Sequence, residues 1–260
     1  MVPPAGDFRF APALLISSAL IAGCRSATPE PEPPIQVAAA ADLSVAFEEM
    51  GKLFQARTGK KVSFSFGASG PLAKQVAEGA PFDLFAAANA EFVDRAVQAG
   101  VCDAKTKAPY ARGRIVVWTR RGGPVVHALA DLQSADIKHI AIANPEHAPY
   151  GKAAREALTR AGLWPALEAK IVHAENVRQA LQFAETGNAD AAIIALSLVA
   201  NDQAGARLAI DPGLHGAIEQ TLVVCHQGQN REGGREFAGL VESSDGQALL
   251  KRHGFTGSAE

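Results

Sequence analysis

From Ile35 onward the chain alternates short apolar runs with amphipathic stretches of helical period, and this alternation limits the possible folds more than any other feature. Ile35 to Ala40 is an apolar strand, and Leu43, Phe47, Met50 and Phe54 then recur at helical spacing, with Gly59 as the C-cap. The same pattern predicts strands over 61–66, 82–87, 114–118, 137–142, 191–194 and 222–225. Helices are predicted over 72–78, 90–99, 151–161, 177–185, 231–241 and 245–253. Repeated βα units imply an α/β fold of mainly parallel sheets with right-handed crossovers, and two such runs predict two lobes. Lobe I is expected over 35–113 plus 226–260 and lobe II over 114–225, with hinges near 114–123 and 221–228. Ligands in such folds sit outside the carboxyl ends of the strands, here in the cleft between lobes.

The N-terminus precedes this pattern. Ala11 to Gly23 is an apolar run of 13 residues, too short to span a bilayer and right for a signal-peptide core. It ends in Ile21-Ala22-Gly23-Cys24, a lipobox-like sequence, so residues 1–24 read as a lipoprotein signal and Cys24 as the lipidated residue. A plain signal peptide with an incidental Cys24 is the alternative. Residues 25–34, rich in Pro and Glu, read as an extended tether. The expected location is the periplasm or cell surface, and the only membrane attachment is that anchor. Cys102 and Cys225 then remain in an oxidising compartment, where a disulfide and two isolated buried thiols fit the sequence equally. A net charge of −2 gives no electrostatic case for nucleic acid or an acidic membrane surface.

Four loops that follow strands and open helices are made of small or polar residues: Ala39 to Asp42, Gly67 to Gly70, Asn144 to Gly151 and Glu175 to Arg178. Such loops leave backbone N–H groups uncovered at helix N-termini, which suits an anion held without cationic side chains. The alternative is that small residues simply pack and cap well at βα turns. Catalytic arrangements are thin. Ser69 lies in G-A-S-G and not in a G-x-S-x-G nucleophile elbow, the seven histidines are scattered, and no Walker loop or G-x-G-x-x-G occurs. No enzyme, no resident cofactor and no direct metal ligand set is expected.

The segments VAAAADL (37–43), FGASGPLAKQVAEGAPFDLFAAAN (66–89), ANPEHAPYGKAAREAL (143–158), ENVRQAL (175–181) and QALLKRHGFTG (247–257) resemble the molybdate-binding proteins of bacterial ABC transporters. Those proteins lie within the type II periplasmic-binding folds, and the matching segments follow the family's order over nearly the whole region after the tether. The resemblance implies one tetrahedral oxyanion, molybdate or tungstate, held between the lobes by uncharged groups and passed to a permease and its ATPase by a monomer. It carries the ligand positions onto Asp42 with the Ala41 backbone, Ser69 through hydroxyl and N–H, Tyr150, and the Val177 N–H. These groups touch the oxygens of the anion and not its metal. A tyrosine that some members use from a later strand corresponds here to Ala195.

Asp42 departs from the family, which has serine, threonine or asparagine there. An ionised carboxylate only accepts, and beside a dianion in a dry cleft it costs several kcal/mol. Three resolutions follow: Asp42 caps its own helix, it pairs with a cation such as Arg178, or the pocket serves another ligand. The rival readings are therefore a solute-binding protein for an organic anion, phosphonate, amino acid or Fe(III), and an enzyme or sensory domain on the same fold. With only Tyr110 and Tyr150 as phenolates, Fe(III) is poorly served.

Overall fold

The computed structural model describes residues 1–2 and 32–258. The expected signal segment (beyond Met1 and Val2), its Cys24, and the tether up to residue 31 lie outside the described residues. Residues 32–34 are exposed and lead straight into the folded unit, where the Pro33 carbonyl accepts from Asn230 Nδ2 at 2.8 Å.

In chain order the elements are β1 (Ile35–Ala40), α1 (Ser44–Thr58), β2 (Val62–Gly67), α2 (Ser69–Ala77), β3 (Leu84–Ala87), α3 (Ala90–Gln98), β4 (Ala108–Gly113) and β5 (Ile115–Arg120). There follow β6 (Ile140–Ala143), α4 (Pro149–Arg160), α5 (Trp164–Leu167), β7 (Ile171–Ala174), α6 (Val177–Thr186) and β8 (Ala191–Ala195). The last are β9 (Gly205–Ala209), β10 (Ile218–Val224), α7 (Arg231–Glu242) and α8 (Ser244–Arg252). Gly59 ends α1 at φ 74° as its left-handed cap, the conformation that its lack of a Cβ permits.

Two five-stranded sheets form, ordered β2-β1-β3-β10-β4 and β7-β6-β8-β5-β9. Each is parallel in its βα half, where β1 pairs with β2 and β3, and β6 with β7 and β8. Each is antiparallel where the strands that link the sheets join in, β10 beside β3 and β4, and β5 beside β8 and β9. The antiparallel halves arise because the chain passes between sheets by strands and not by helical crossovers.

The lobe boundary differs from the expectation. β10, expected within lobe II, is an inner strand of the first sheet between β3 and β4. The return crossing therefore lies in 210–217 rather than near 221–228, and the outward crossing is the single residue Arg114 between β4 and β5. β4, β7 and β9 were not expected as strands. Helix α2 also begins at Ser69, three residues before the expected start, because Pro71 fits a first turn, where its missing N–H has no intrahelical acceptor anyway.

The first sheet packs its inner face on α1 and α7. Phe47, Phe54 and Phe237 meet edge to face there, with centroids 5.5–5.7 Å apart, and each is buried. A second, smaller cluster sits under α2 and α3 and ends at Cys102 and Cys225. Those cysteines form a disulfide across an isolated antiparallel bridge, which resolves the alternative left open by the sequence. The bridge spans 123 residues and joins the approach to β4 to the end of β10, so the whole second sheet lies inside its loop. Closing so long a loop removes much freedom from the unfolded chain. Reduction, or Cys225→Ser, is expected to lower stability by about 2–5 kcal/mol. Denaturant titrations with and without reductant test this, and coincident curves would refute it.

Candidate functional site

The parallel halves of both sheets direct their strand C-termini at one small, narrow cleft. From the first sheet come Ala40 to Asp42 after β1, Gly67 to Ser69 after β2 and Ala88 after β3. From the second come Ala148 to Tyr150 and, after β7, Asn176 and Val177. All five expected site residues (Ala41, Asp42, Ser69, Tyr150 and Val177) line this cleft, and all are buried.

Local sequence leaves donors free there. The turn at Ala41, helix α2 and helix α4 begin behind alanines (Ala40, Ala68 and Ala148), which have no side-chain oxygen to cap a first turn. Helix α6 does have a cap, but Asn176 Oδ1 accepts from Arg178 and Gln179, both at 3.0 Å, and leaves the Val177 N–H alone. Ser69 Oγ accepts from the Ala88 N–H at 3.1 Å, so the proton of its hydroxyl is available as a donor. Four helix starts thus present uncapped N–H groups and the positive ends of their dipoles to one point. Across the mouth, the Gly70 N–H donates to the His147 carbonyl at 3.0 Å, so the rims of the two halves touch.

Asp42 lies at the base of the cleft, where neither the capping nor the cation-pairing resolution holds. It makes no capping hydrogen bond to its helix. Arg178 reaches Glu48 instead, at 3.9 Å on the surface, and is no partner of Asp42. Asp42 Oδ2 accepts from Tyr150 Oη at 2.9 Å and from Gln220 Nε2 at 2.8 Å. Its backbone carbonyl accepts from Ser197 Oγ at 2.8 Å. Oδ1 is buried and has no hydrogen-bond partner, as is Gln220 Oε1. Among the described residues no cation forms a salt bridge with Asp42. Burial therefore pushes the Asp42 carboxyl from 3.8 up to about 7, with the hydrogen bond from Tyr150, the nearby peptide dipole of its own backbone and the hydrogen bond from Gln220 acting in the opposite sense. The Tyr110 and Tyr150 hydroxyls are raised well above the ordinary tyrosine range, first by burial and then by the negative charge of Asp42.

The Tyr150 hydroxyl, expected as an anion contact, is thus committed to Asp42. It can reach that point because residue 113 is glycine: a Cβ there would stand 2.0 Å from Tyr150 Oη. Sequence reasoning missed Gln220, Ser197 and Gly113. Gln220 lies at a register shift between β10 and β4, a bulge of the kind that re-aims a side chain beside a site. Ala195, where some family members have a tyrosine, is buried at the end of β8. Among the described residues no group of three or more His, Cys, Asp or Glu gathers as a metal site, and no helix is long and apolar enough to cross a membrane.

The Asp42 geometry fixes a pH response of the protein alone. A buried acid whose pKa rises on folding stabilises the fold below its unfolded value and loses that contribution as pH climbs through the folded value. Relative to Asp42→Asn, the wild type is expected to lose stability between about pH 4 and about pH 7, by roughly 1.4 kcal/mol per unit, and to level off above. Urea titrations of both proteins across that range measure this; a constant difference would refute it.

The chain matches the profile described as bacterial extracellular solute-binding protein over residues 35–256. It is 32% identical over 218 residues to the molybdate-binding protein ModA of Rhodobacter capsulatus, covering 84% of this chain and 86% of that one. A putative ABC transporter substrate-binding lipoprotein of Bacillus subtilis, YvgL, is 29% identical and covers 94% and 96% of the two chains. In structure the chain is similar to the periplasmic molybdate-binding protein of Azotobacter vinelandii, with a TM-score of 0.80 at 28% identity, covering 85% of this chain and 98% of that one.

Proposed function

This chain belongs to the bacterial extracellular solute-binding proteins, and from that premise we propose that it binds a tetrahedral oxyanion of the molybdate and tungstate type for an ABC importer. The observation that carries the reading is the ring of uncapped helix starts around one cleft, with the free Ser69 hydroxyl among them. The names of the relatives from R. capsulatus and A. vinelandii agree with it.

Ala41, Ser69, Tyr150 and Val177 hold the anion's oxygens through backbone N–H groups, with the Ser69 hydroxyl added and Asp42 beside them. Neutral donors suit such a ligand because each oxygen accepts about two hydrogen bonds and the closed cleft replaces its water shell. No cation is needed, since oriented peptide dipoles supply the positive field. No bond is made or broken, so the role is carriage and not catalysis, and no cofactor takes part.

The two lobes hinge at Gly113–Arg114 and through 210–217, and ligand favours the closed form by its differential affinity. The closed monomer docks on a membrane permease whose ATPase drives transport. The N-terminal signal places the protein outside the cytoplasm, held to the membrane by lipid on Cys24; the word lipoprotein in the name of the B. subtilis relative is consistent with this.

Thermal shift against molybdate, tungstate, sulfate, phosphate and amino acids tests the reading. Molybdate and tungstate are expected to raise the melting temperature, and Ser69→Ala to weaken molybdate binding about ten- to a hundredfold, the worth of a hydrogen bond to a charged group. Absence of any oxyanion response would refute it, and a response to an organic anion or amino acid alone would favour a different solute.

A further inference from the structure

This inference rests on the oxyanion reading and concerns its one anomalous member. Asp42 holds the only carboxyl among the residues that line the cleft. Its two oxygens are not equivalent. Oδ2 already accepts two hydrogen bonds, from Tyr150 and Gln220, while Oδ1 is buried without any donor. A carboxylate with an orphaned oxygen and no cation is an expensive group to bury, and beside a dianion it is worse. A carboxylic acid in the same place is a hydrogen-bond donor, as are the serine, threonine and asparagine that the resemblance leads one to expect there.

The surroundings leave no other group to neutralise it. On α1, Glu48 faces Arg178 at the surface, and Glu49 faces the exposed Arg252 and the buried His253 at 2.8 Å each. On α6 the charged groups are that same Arg178 and the exposed Glu185. The short turn Leu196–Leu198 brings only the Ser197 hydroxyl, which is spent on the Asp42 carbonyl. β2 carries no charged side chain. β4 brings the Tyr110 phenol and Arg112, and β10 brings Gln220 and Glu219; of these only the Gln220 amide hydrogen-bonds to Asp42. From α4 comes the Tyr150 phenol, already bonded to Oδ2.

We propose that Asp42 enters the ligand complex as a carboxylic acid, its proton on Oδ1 and donated to an oxygen of the bound anion, so that the cleft takes up one proton with each unprotonated dianion. The balance is simple: ionised protein, molybdate dianion and one proton from solvent give the complex, and no covalent bond other than O–H changes. A dianion that already bears a proton, such as hydrogen phosphate, brings it along, its own O–H donating to an ionised Oδ1. One proton therefore lies between Oδ1 and the anion in either complex, taken from solvent with molybdate and carried in by hydrogen phosphate, whose complex holds one more negative charge. Asp42 sets specificity by this proton count, and it removes the discrimination against hydrogen phosphate that a cleft of donors alone would have.

Isothermal titration with sodium molybdate, from about pH 6.5 to about pH 9 in buffers of different ionisation enthalpy, counts the protons directly. The wild type is expected to take up about one proton per molybdate at the alkaline end, its affinity falling about tenfold per pH unit there. Asp42→Asn, which keeps the shape and a donor, is expected to take up none and to show a flat pH profile; Asp42→Ser serves as a second such variant. Molybdate binding by the wild type with no proton uptake and no pH dependence would overturn the proposal and leave the oxyanion reading intact. So would binding by the Asn variant alone, or undiminished proton uptake in that variant. If neither protein binds molybdate or tungstate at any pH, the oxyanion reading itself fails and the proposal with it.

Discussion

The interaction on which the cleft depends is the pair of hydrogen bonds that Asp42 Oδ2 accepts from Tyr150 and Gln220. These three residues come from three places: the turn after β1, the start of α4 and the bulge of β10. The bond to Tyr150 joins the two sheets' halves at the base of the cleft, and the bond to Gln220 fastens the same carboxyl to a strand beside the hinge. A buried acid without a cation is costly, so the protein orients two donors on one of its oxygens, and burial raises the affinity of the group for a proton. Tyr150 in turn requires Gly113, since any side chain there would collide with its hydroxyl. One polar contact thereby ties the hinge, the floor of the cleft and the protonation state of the site together.

Above that floor the site is made of backbone. Parallel pairing of β1, β2 and β3 sets Ala40 level with Gly67, and Ala39 level with Ala86, so their following turns open side by side. β6 and β7 do the same on the other half, with Ala143 level with Ala174. Alanine at three of the four helix starts then withholds the usual side-chain cap, a loss of about 1 kcal/mol at each. At a site that needs free N–H groups, that loss has a use, because a serine or aspartate cap would occupy the same donors.

Much of this was legible in the sequence because it is local. The βα rhythm, the Gly59 cap, and Ser69 and Val177 at helix starts all depend on neighbours within one or two turns. What stayed hidden was non-local. Gln220 and Ser197 meet Asp42 across 178 and 155 residues, and nothing in their own surroundings marks them. The place of β10 in the first sheet was equally hidden, since an apolar run reads the same in either lobe. β4 and β9 have exposed or half-exposed positions and contain Pro109, Gly113 and Gly205, which weakened the strand pattern. The disulfide was undecided because two cysteines 123 residues apart say nothing about distance in space.

The same division between backbone and side chain determines where the site can respond to its surroundings. Peptide N–H groups and the Ser69 hydroxyl do not ionise near neutrality, so the donors around the cleft are indifferent to pH. Of the lining residues only Asp42 and Tyr150 have titratable side chains, and the phenol of Tyr150 is pushed further from neutrality by burial and by its acidic neighbour. That leaves a single group, Asp42, whose charge changes within the ordinary range of pH. A serine in its place would make the cleft a fixed array of donors, whereas the acid makes the same array conditional on one proton. The substitution costs the fold a buried ionisable group, and under the proposal above it makes the charge of the cleft follow one proton.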